Sequence, residues 1–416
     1  MNRDSQLATC PVLTLPRGRK GVLPNQYLAT AIEAGVIHAD SGEIPPSNIQ
    51  PASLDLRLGA VAYELRCSFL PTSQTVQERI LGNYVTGELN LSGDGAILSR
   101  GRAYLVPLKE SLSLPRNIRA KANPKSSTGR ADVFTRVITD NSIRFDDISY
   151  GYKGRLYLEV VPLSFSVRVR ENLSLNQIRL SVGRAEFDDN AILAFHEKQP
   201  ILFTPRSEVA PKKLTLSGGL FLGLDLRADR DGSVGYSARS SPPVLDLSQV
   251  GRADPRDYWD RVDPESEPRV VLEPKRFYLL MSYEAVTIPP NLAAEMTAYD
   301  PTSGELRTHY AGFFDPGFGY DEGNRFNGST AALEVRAHDV PFMVEHRQPV
   351  CKLTFEEMLE PPTQLYGKGI GSNYQQQTET LGKHFRLPAP EADPRPRRRS
   401  RPDMAAGQLV LPDPES

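Results

Sequence analysis

Eight consecutive residues, Asn123-Pro124-Lys125-Ser126-Ser127-Thr128-Gly129-Arg130, gather a cation, three hydroxyls, a glycine and an arginine directly after a strand-like segment. Hydroxyls, backbone N–H groups around a glycine and an arginine fork together suit a phosphate chain. Lys125 adds a mobile point charge that tolerates a shifting triphosphate. A plainer reading makes this a polar turn with Ser126 or Ser127 as a helix N-cap. A second candidate is Glu159 in Gly151-Tyr-Lys-Gly-Arg-Leu-Tyr-Leu-Glu159, where a glycine-rich turn runs into an alternating strand. On a solvated face it would do nothing. On a cleft wall it would suit proton shuttling.

Two further stretches carry polar chemistry late in the chain. Ala311-Gly-Phe-Phe-Asp-Pro-Gly-Phe-Gly319 contains a turn at Asp315, where the side chain can satisfy its own backbone. As a hairpin lining a nucleoside pocket it would set Phe313 or Phe318 against a sugar. Tyr366-Gly-Lys-Gly-Ile-Gly-Ser-Asn-Tyr-Gln-Gln-Gln377 is glycine- and amide-rich and nearly free of aliphatics. It reads as a linker, or as a lid ordering over a ligand, with Tyr366, Tyr374, Gln375 and Gln377 as contacts.

The elements that must hold these residues are mostly strands. Thirty-five prolines and 31 glycines in 416 residues favour strands and turns over long helices. Residues 22–36 read as a short helix capped by Asn25 and ended by Gly35. Leu54, Leu56 and Leu58 alternate with Asp55 and Arg57, the pattern of a half-buried strand. Strand-like segments follow at 103–108, 118–122, 133–139, 155–161, 166–169 and 177–182, predicting a β-barrel or sandwich.

Landmarks then recur. Leu54-Asp-Leu-Arg57 returns as Leu224-Asp-Leu-Arg227, Arg102-Ala-Tyr-Leu as Arg276-Phe-Tyr-Leu, and Leu158-Glu-Val160 as Leu333-Glu-Val335, at offsets of 170, 174 and 175. The expected organisation is a flexible arm (1–21), a first β-domain (22–190), a linker (191–212), a second β-domain with a C-terminal lid (213–386), and a disordered basic, proline-rich tail (387–416). Residues 228–266, around the sole tryptophan Trp259, have no functional reading.

Composition narrows the function. A net charge of −2 argues against duplex nucleic acid as a partner. There is no run of 18 apolar residues for a membrane span. Three scattered cysteines point to a reducing cytoplasm. No Cys-x-x-Cys or His-x-Glu occurs, so the zinc signature of metal-dependent nucleobase deaminases is missing.

Taken in order, Gln50-Pro-Ala-Ser-Leu-Asp-Leu-Arg-Leu-Gly59, Lys125-Ser-Ser-Thr-Gly-Arg130, Gly151-Tyr-Lys-Gly with Leu158-Glu159, and Asn373-Tyr-Gln-Gln-Gln377 resemble the dCTP deaminases of the trimeric dUTPase-like superfamily. The resemblance covers most of 22–385. It implies a mainly β fold: a tandem duplicated dUTPase-like distorted β-barrel or jelly roll with a few short helices. It implies zinc-independent hydrolysis of dCTP to dUTP and ammonia, with Mg²⁺ accompanying the triphosphate and dTTP as an inhibitor. It implies a homotrimer, here a pseudo-hexamer of domains. Residue by residue, Glu159 matches the proton-shuttling glutamate, Ser126 and Arg130 the residues that position water and substrate, and Lys125 and Ser127 the phosphate contacts.

The departures matter as much. The first repeat reads Ile148-Ser-Tyr-Gly151 where an Asp-Pro-Gly run is usual. The second keeps Asp315-Pro316-Gly317 and Glu334 but has Asp300-Pro-Thr-Ser-Gly-Glu305 at the turn. An acid in place of the arginine would repel a triphosphate. A composite site is therefore expected, with the turn and Glu159 from the first repeat and the lid from the second. Glu159→Gln should then abolish deamination and Glu334→Gln spare most of it. Alternatives are a deaminase that is also a dUTP pyrophosphatase, or a dUTPase, with Asp315 activating water at the α-phosphate. A non-catalytic nucleotide-binding regulator and a purely structural jelly roll complete the alternatives.

Overall fold

The computed structural model describes residues 13–229, 232–265, 267–297, 306–308, 312–321, 323, 328–337, 339–367 and 380–386. The chain is mostly strand, and both repeats use the same central pairing. In the first, Lys153–Pro162 lies between Ala103–Ser113 and Val133–Ile138, with Glu159 opposite Leu105 and Arg136. In the second, Ser329–Ala337 lies between Phe277–Val286 and Leu306–Thr308, with Glu334 opposite Leu279. The two glutamates therefore occupy corresponding places in two copies of one sheet. Two separate apolar clusters sit inside them, one around Leu56, Val106, Leu158 and Ile178, the other around Leu224, Leu280, Leu333 and Phe355.

Several expectations change on folding. Leu54–Arg57 is buried at all four residues, not half-buried. Its polar members are tolerated because each is paired: Arg57 donates to Glu110 at 2.6 Å, and Asp55 receives the ammonium of Lys125. The helix Asn25–Glu33 is preceded by Pro24 in the capping position. Asn25 instead ties the helix to Thr363, by bonds of 2.8 and 3.0 Å. Gly35 does follow it in the left-handed region, at φ 69°. Within the expected arm, Leu13 is buried in the first core, and Gly21–Val22 pairs with Ser174–Val182.

The expected linker 191–212 is folded. Helix Asp189–Lys198, capped by the Asp188 carboxylate, and strand Leu202–Phe203 pack into the second core through Ile192, Ile201 and Leu202. Within 228–266, the described residues 232–265 strap the repeats together. Leu245–Asp246 pairs in parallel with Val167–Val169 of the first repeat. Trp259 is buried with ring centroids 5.1 Å from Phe165, 5.7 Å from Phe385 and 6.1 Å from Phe277. Where the repeats meet, the contact is rich in buried charge. Arg179 pairs with Glu356 at 2.8 Å and Asp315 at 3.0 Å, and Asn123 donates to Glu295 at 2.8 Å.

Candidate active site

Strand Ile118–Pro124 delivers the chain into a single helical turn, Ser126–Gly129. Lys125 stands at its N-cap and no side chain caps it, so the serine hydroxyls are not spent on capping. The turn is anchored from behind: the Thr128 hydroxyl donates to the Leu175 carbonyl at 2.8 Å, and the Lys125 amide bonds the same oxygen at 3.0 Å. Ser127, Thr128, Gly129 and Arg130 are buried, while Lys125 and Ser126 remain half-buried.

The acid at this turn comes from the other repeat. The carboxyl of Glu334 lies directly against Gly129, so closely that a Cβ placed there would fall within 2.9 Å of its Oε1, Oε2 and Cδ. Burial pushes the Glu334 carboxyl up to about 8; the Arg130 guanidinium opposes this and the Asp132 carboxylate adds to it. At neutral pH Glu334 is therefore mostly protonated. Two residues along the same strand, Arg336 pairs with Asp132, which also accepts the Ser164 hydroxyl at 2.5 Å. Asp132 holds a left-handed φ of 52°. Turn and strand are thus pinned together beside the acid.

The segment after the lid motif closes the other side. Arg130 Nη1 donates to the Thr380 carbonyl at 3.2 Å, and Gly382 packs on the Arg130 stem. His384 is buried and bonds the Gln249 carbonyl at 3.2 Å through Nδ1. Burial holds its ring down to about 4, so it is neutral. Lys383 is half-buried, and its ammonium is weakened by burial and by the charge of Lys125, with Asp55 opposing. Two ammoniums thus share the neighbourhood of one carboxylate, an excess of positive charge suited to a polyphosphate.

Glu159 does not reach this turn from within the chain. It is buried, and its two oxygens are taken up by Arg136 at 2.5 Å and the Ser68 hydroxyl at 2.6 Å, with Arg136 stacked 3.6 Å over Phe145. The structure brings Glu334 to Gly129 and Arg130 of this turn in its place. The cause is topological: the repeats pack so that the second strand, not the first, faces the first repeat's turn.

Asp315 does not satisfy its own backbone. Its carboxylate binds Arg179 at 3.0 Å and the Ser53 hydroxyl at 3.2 Å. Phe313 and Phe318 are buried, the first under Arg179 and the second 4.9 Å from Phe314, so neither offers a face to a sugar. Tyr366 packs on this hairpin, its amide on the Pro316 carbonyl at 2.8 Å and its ring 5.8 Å from Phe318. Tyr374, Gln375, Gln377 and the run Asp300–Glu305 lie outside the described residues. Sequence reading missed Asp132, Arg336, Lys383 and His384. Their only local signal was charge in short polar stretches, and their roles arise from contacts across more than a hundred residues of chain.

Comparison with known proteins agrees with this architecture. The family model of the 2'-deoxycytidine 5'-triphosphate deaminase N-terminal domain matches residues 19–184, and that of the C-terminal domain matches 188–385. A crystal structure of 2'-deoxycytidine 5'-triphosphate deaminase from Agrobacterium tumefaciens superposes with a TM-score of 0.76. It is 41% identical and covers 83% of this chain and 99% of its own. A dUMP-forming dCTP deaminase of Halobacterium salinarum is 29% identical over 36% of this chain and 76% of its own length. A dCTP deaminase of Halorubrum lacusprofundi is 30% identical over 27% of this chain and 52% of its own. With both repeats matched and the solved relative spanned almost end to end, the chain belongs to the dCTP deaminase family.

Proposed function

We propose that this protein hydrolyses dCTP to dUTP and ammonia at a site built from the first repeat's turn and the second repeat's acid. The observation that carries the residue assignment is the buried Glu334 carboxyl held against Gly129, beside Arg130. A carboxyl titrating near 8 is poised for proton transfer in both directions at neutral pH. In this reading Glu334 gives its proton to cytosine N3, which makes C4 electrophilic. Water adds to C4 and its proton passes to the carboxylate. Glu334 then protonates the amino group, ammonia leaves, and the carboxylate recovers the hydroxyl proton as the C4 carbonyl forms. The acid ends as it began, and one water is consumed per ammonia released.

Arg130 sets its positive charge beside the carboxyl, and Ser126 offers its half-exposed hydroxyl to the incoming water. Lys125, Ser127 and Lys383 receive the phosphates, Lys125 exchanging Asp55 for a phosphate oxygen. Among the described residues no three His, Cys, Asp or Glu side chains converge as a metal cage. In this reading Mg²⁺ accompanies the triphosphate, held mainly by its phosphates and water, and no step above runs through it. A homo-oligomer, inhibition by dTTP and a cytoplasmic location accord with the resemblance and belong to the same proposal.

A dUMP-forming reaction needs a second carboxylate free to activate water at the α-phosphate. The residue considered for it, Asp315, is bound by Arg179 and Ser53. Incubating the protein with dCTP and Mg²⁺ and measuring ammonia, dUTP, dUMP and pyrophosphate tests the proposal. Equal amounts of ammonia and dUTP are expected. Binding of dCTP without ammonia release would refute it.

A further inference from the structure

Glycine at 129 is not explained by backbone freedom. It closes the helical turn Ser126–Gly129 and is absent from the residues with left-handed φ. What singles it out is its neighbour. A Cβ at 129 would stand 2.7 Å from Glu334 Oε1 and 2.9 Å from both Cδ and Oε2, and these three atoms of one carboxyl are the nearest to it. Ordinary carbon contacts need about 3.5 Å or more.

We propose that Gly129 is a positioning residue for the reaction, its missing side chain setting how far the second repeat's acid reaches into the first repeat's turn. This rests on the reading of Glu334 as the acid. The frame around the contact is fixed. Strand Ser329–Ala337 is paired with Phe277–Val286 and, at 335–337, with Leu306–Thr308, and Arg336 locks it to Asp132, three residues beyond Gly129. The turn is held from behind by Leu175 and from the side by Thr380. Between these anchors the adjustable part is the end of the Glu334 side chain. A methyl group at 129 is therefore accommodated by swinging the carboxyl aside, not by moving either repeat. Because a flexible side-chain end yields, the fold tolerates the change. Because that end carries the proton, the chemistry does not.

The test is Gly129→Ala, measured by steady-state kinetics with dCTP and by thermal unfolding. A carboxyl displaced by about 1 Å is expected to lower kcat roughly 10- to 100-fold. KM is expected to stay within about threefold, because the phosphate contacts at Lys125 and Ser127 are untouched. The unfolding midpoint should barely change. Glu334→Asp, itself impaired, withdraws the carboxyl by one methylene and should make room for the methyl. The double variant Gly129→Ala/Glu334→Asp is then expected to exceed Gly129→Ala in kcat, a coupling that independent sites would not show. A wild-type kcat for Gly129→Ala overturns the proposal. So does a double variant no faster than Gly129→Ala, or an unfolded Gly129→Ala that Glu334→Asp does not rescue. If Glu334→Gln is inactive while Gly129→Ala is wild-type, the positioning role fails and the acid assignment survives. If Glu334→Gln is fully active, the acid assignment itself fails.

Discussion

Replacing Glu334 by glutamine keeps the shape of the side chain and one hydrogen-bond donor but removes the transferable proton. Two effects of opposite sign follow. The reaction loses its proton shuttle, and general acid–base groups contribute about 10²- to 10⁴-fold, so kcat should fall by that order. Stability should move the other way. In the unfolded chain a glutamate titrates near 4.5, whereas burial lifts Glu334 to about 8. A carboxyl raised on folding favours the native state below its unfolded value, and that support is lost as pH rises towards the folded value. The wild-type protein therefore loses stability between pH 4.5 and about 8, by up to roughly 5 kcal/mol. Glutamine never ionises and loses nothing. Thermal unfolding of both proteins at pH 4.5, 7 and 9 reads this directly. The midpoints should be close at pH 4.5, with the variant pulling ahead at pH 7 and further at pH 9. Wild-type kcat should decline above about pH 8 as the protonated acid disappears. A midpoint difference independent of pH would refute the assignment of a buried, neutral carboxyl, and a variant retaining wild-type kcat would refute its role.

Glu159→Gln should leave most deamination intact but strand Arg136 beside Phe145, costing about 2–4 kcal/mol in a denaturant melt; loss of turnover in a stable variant would restore Glu159 to the site. Lys383→Ala should raise KM for dCTP roughly tenfold with kcat little changed, since a lone phosphate contact is worth about 1–2 kcal/mol; an unchanged KM would exclude the phosphate role. Arg336→Met removes an ion-pair partner of the buried Asp132 carboxylate and should cost about 3–5 kcal/mol in the same melt. Co-refolding Glu334→Gln with Arg130→Ala chains should restore no activity, because turn and acid meet within one chain; recovered ammonia release would show sites shared between chains.

Much of the fold was legible because its signals are local. Alternation, turn residues and three recurring landmarks disclosed a duplicated β-domain, and the register at Leu105–Glu159 and Leu279–Glu334 bears out the equivalence of the repeats. Leu54–Arg57 misled because alternation reports polarity, not burial, and Asp55 and Arg57 acquire partners distant in sequence. Residues 191–212 misled because prolines mark breaks without saying whether the intervening chain packs. In the site, the residue types of Lys125–Arg130 marked a polar turn, and only the family resemblance across the rest of the chain pointed from that turn to phosphate.

The sequence by itself determined a duplicated β-fold, a hydroxyl-rich turn in the first repeat and a glutamate at the same place in each copy. Which glutamate lies against that turn was decided by the tertiary structure alone. Both sit in equivalent strands within the same Leu-Glu-Val triplet, and that triplet does not separate them. The distinction arises when the repeats dock: buried pairs such as Arg336–Asp132 and Arg179–Asp315 fix one orientation, setting Glu334 against Gly129 while Glu159 closes on Arg136.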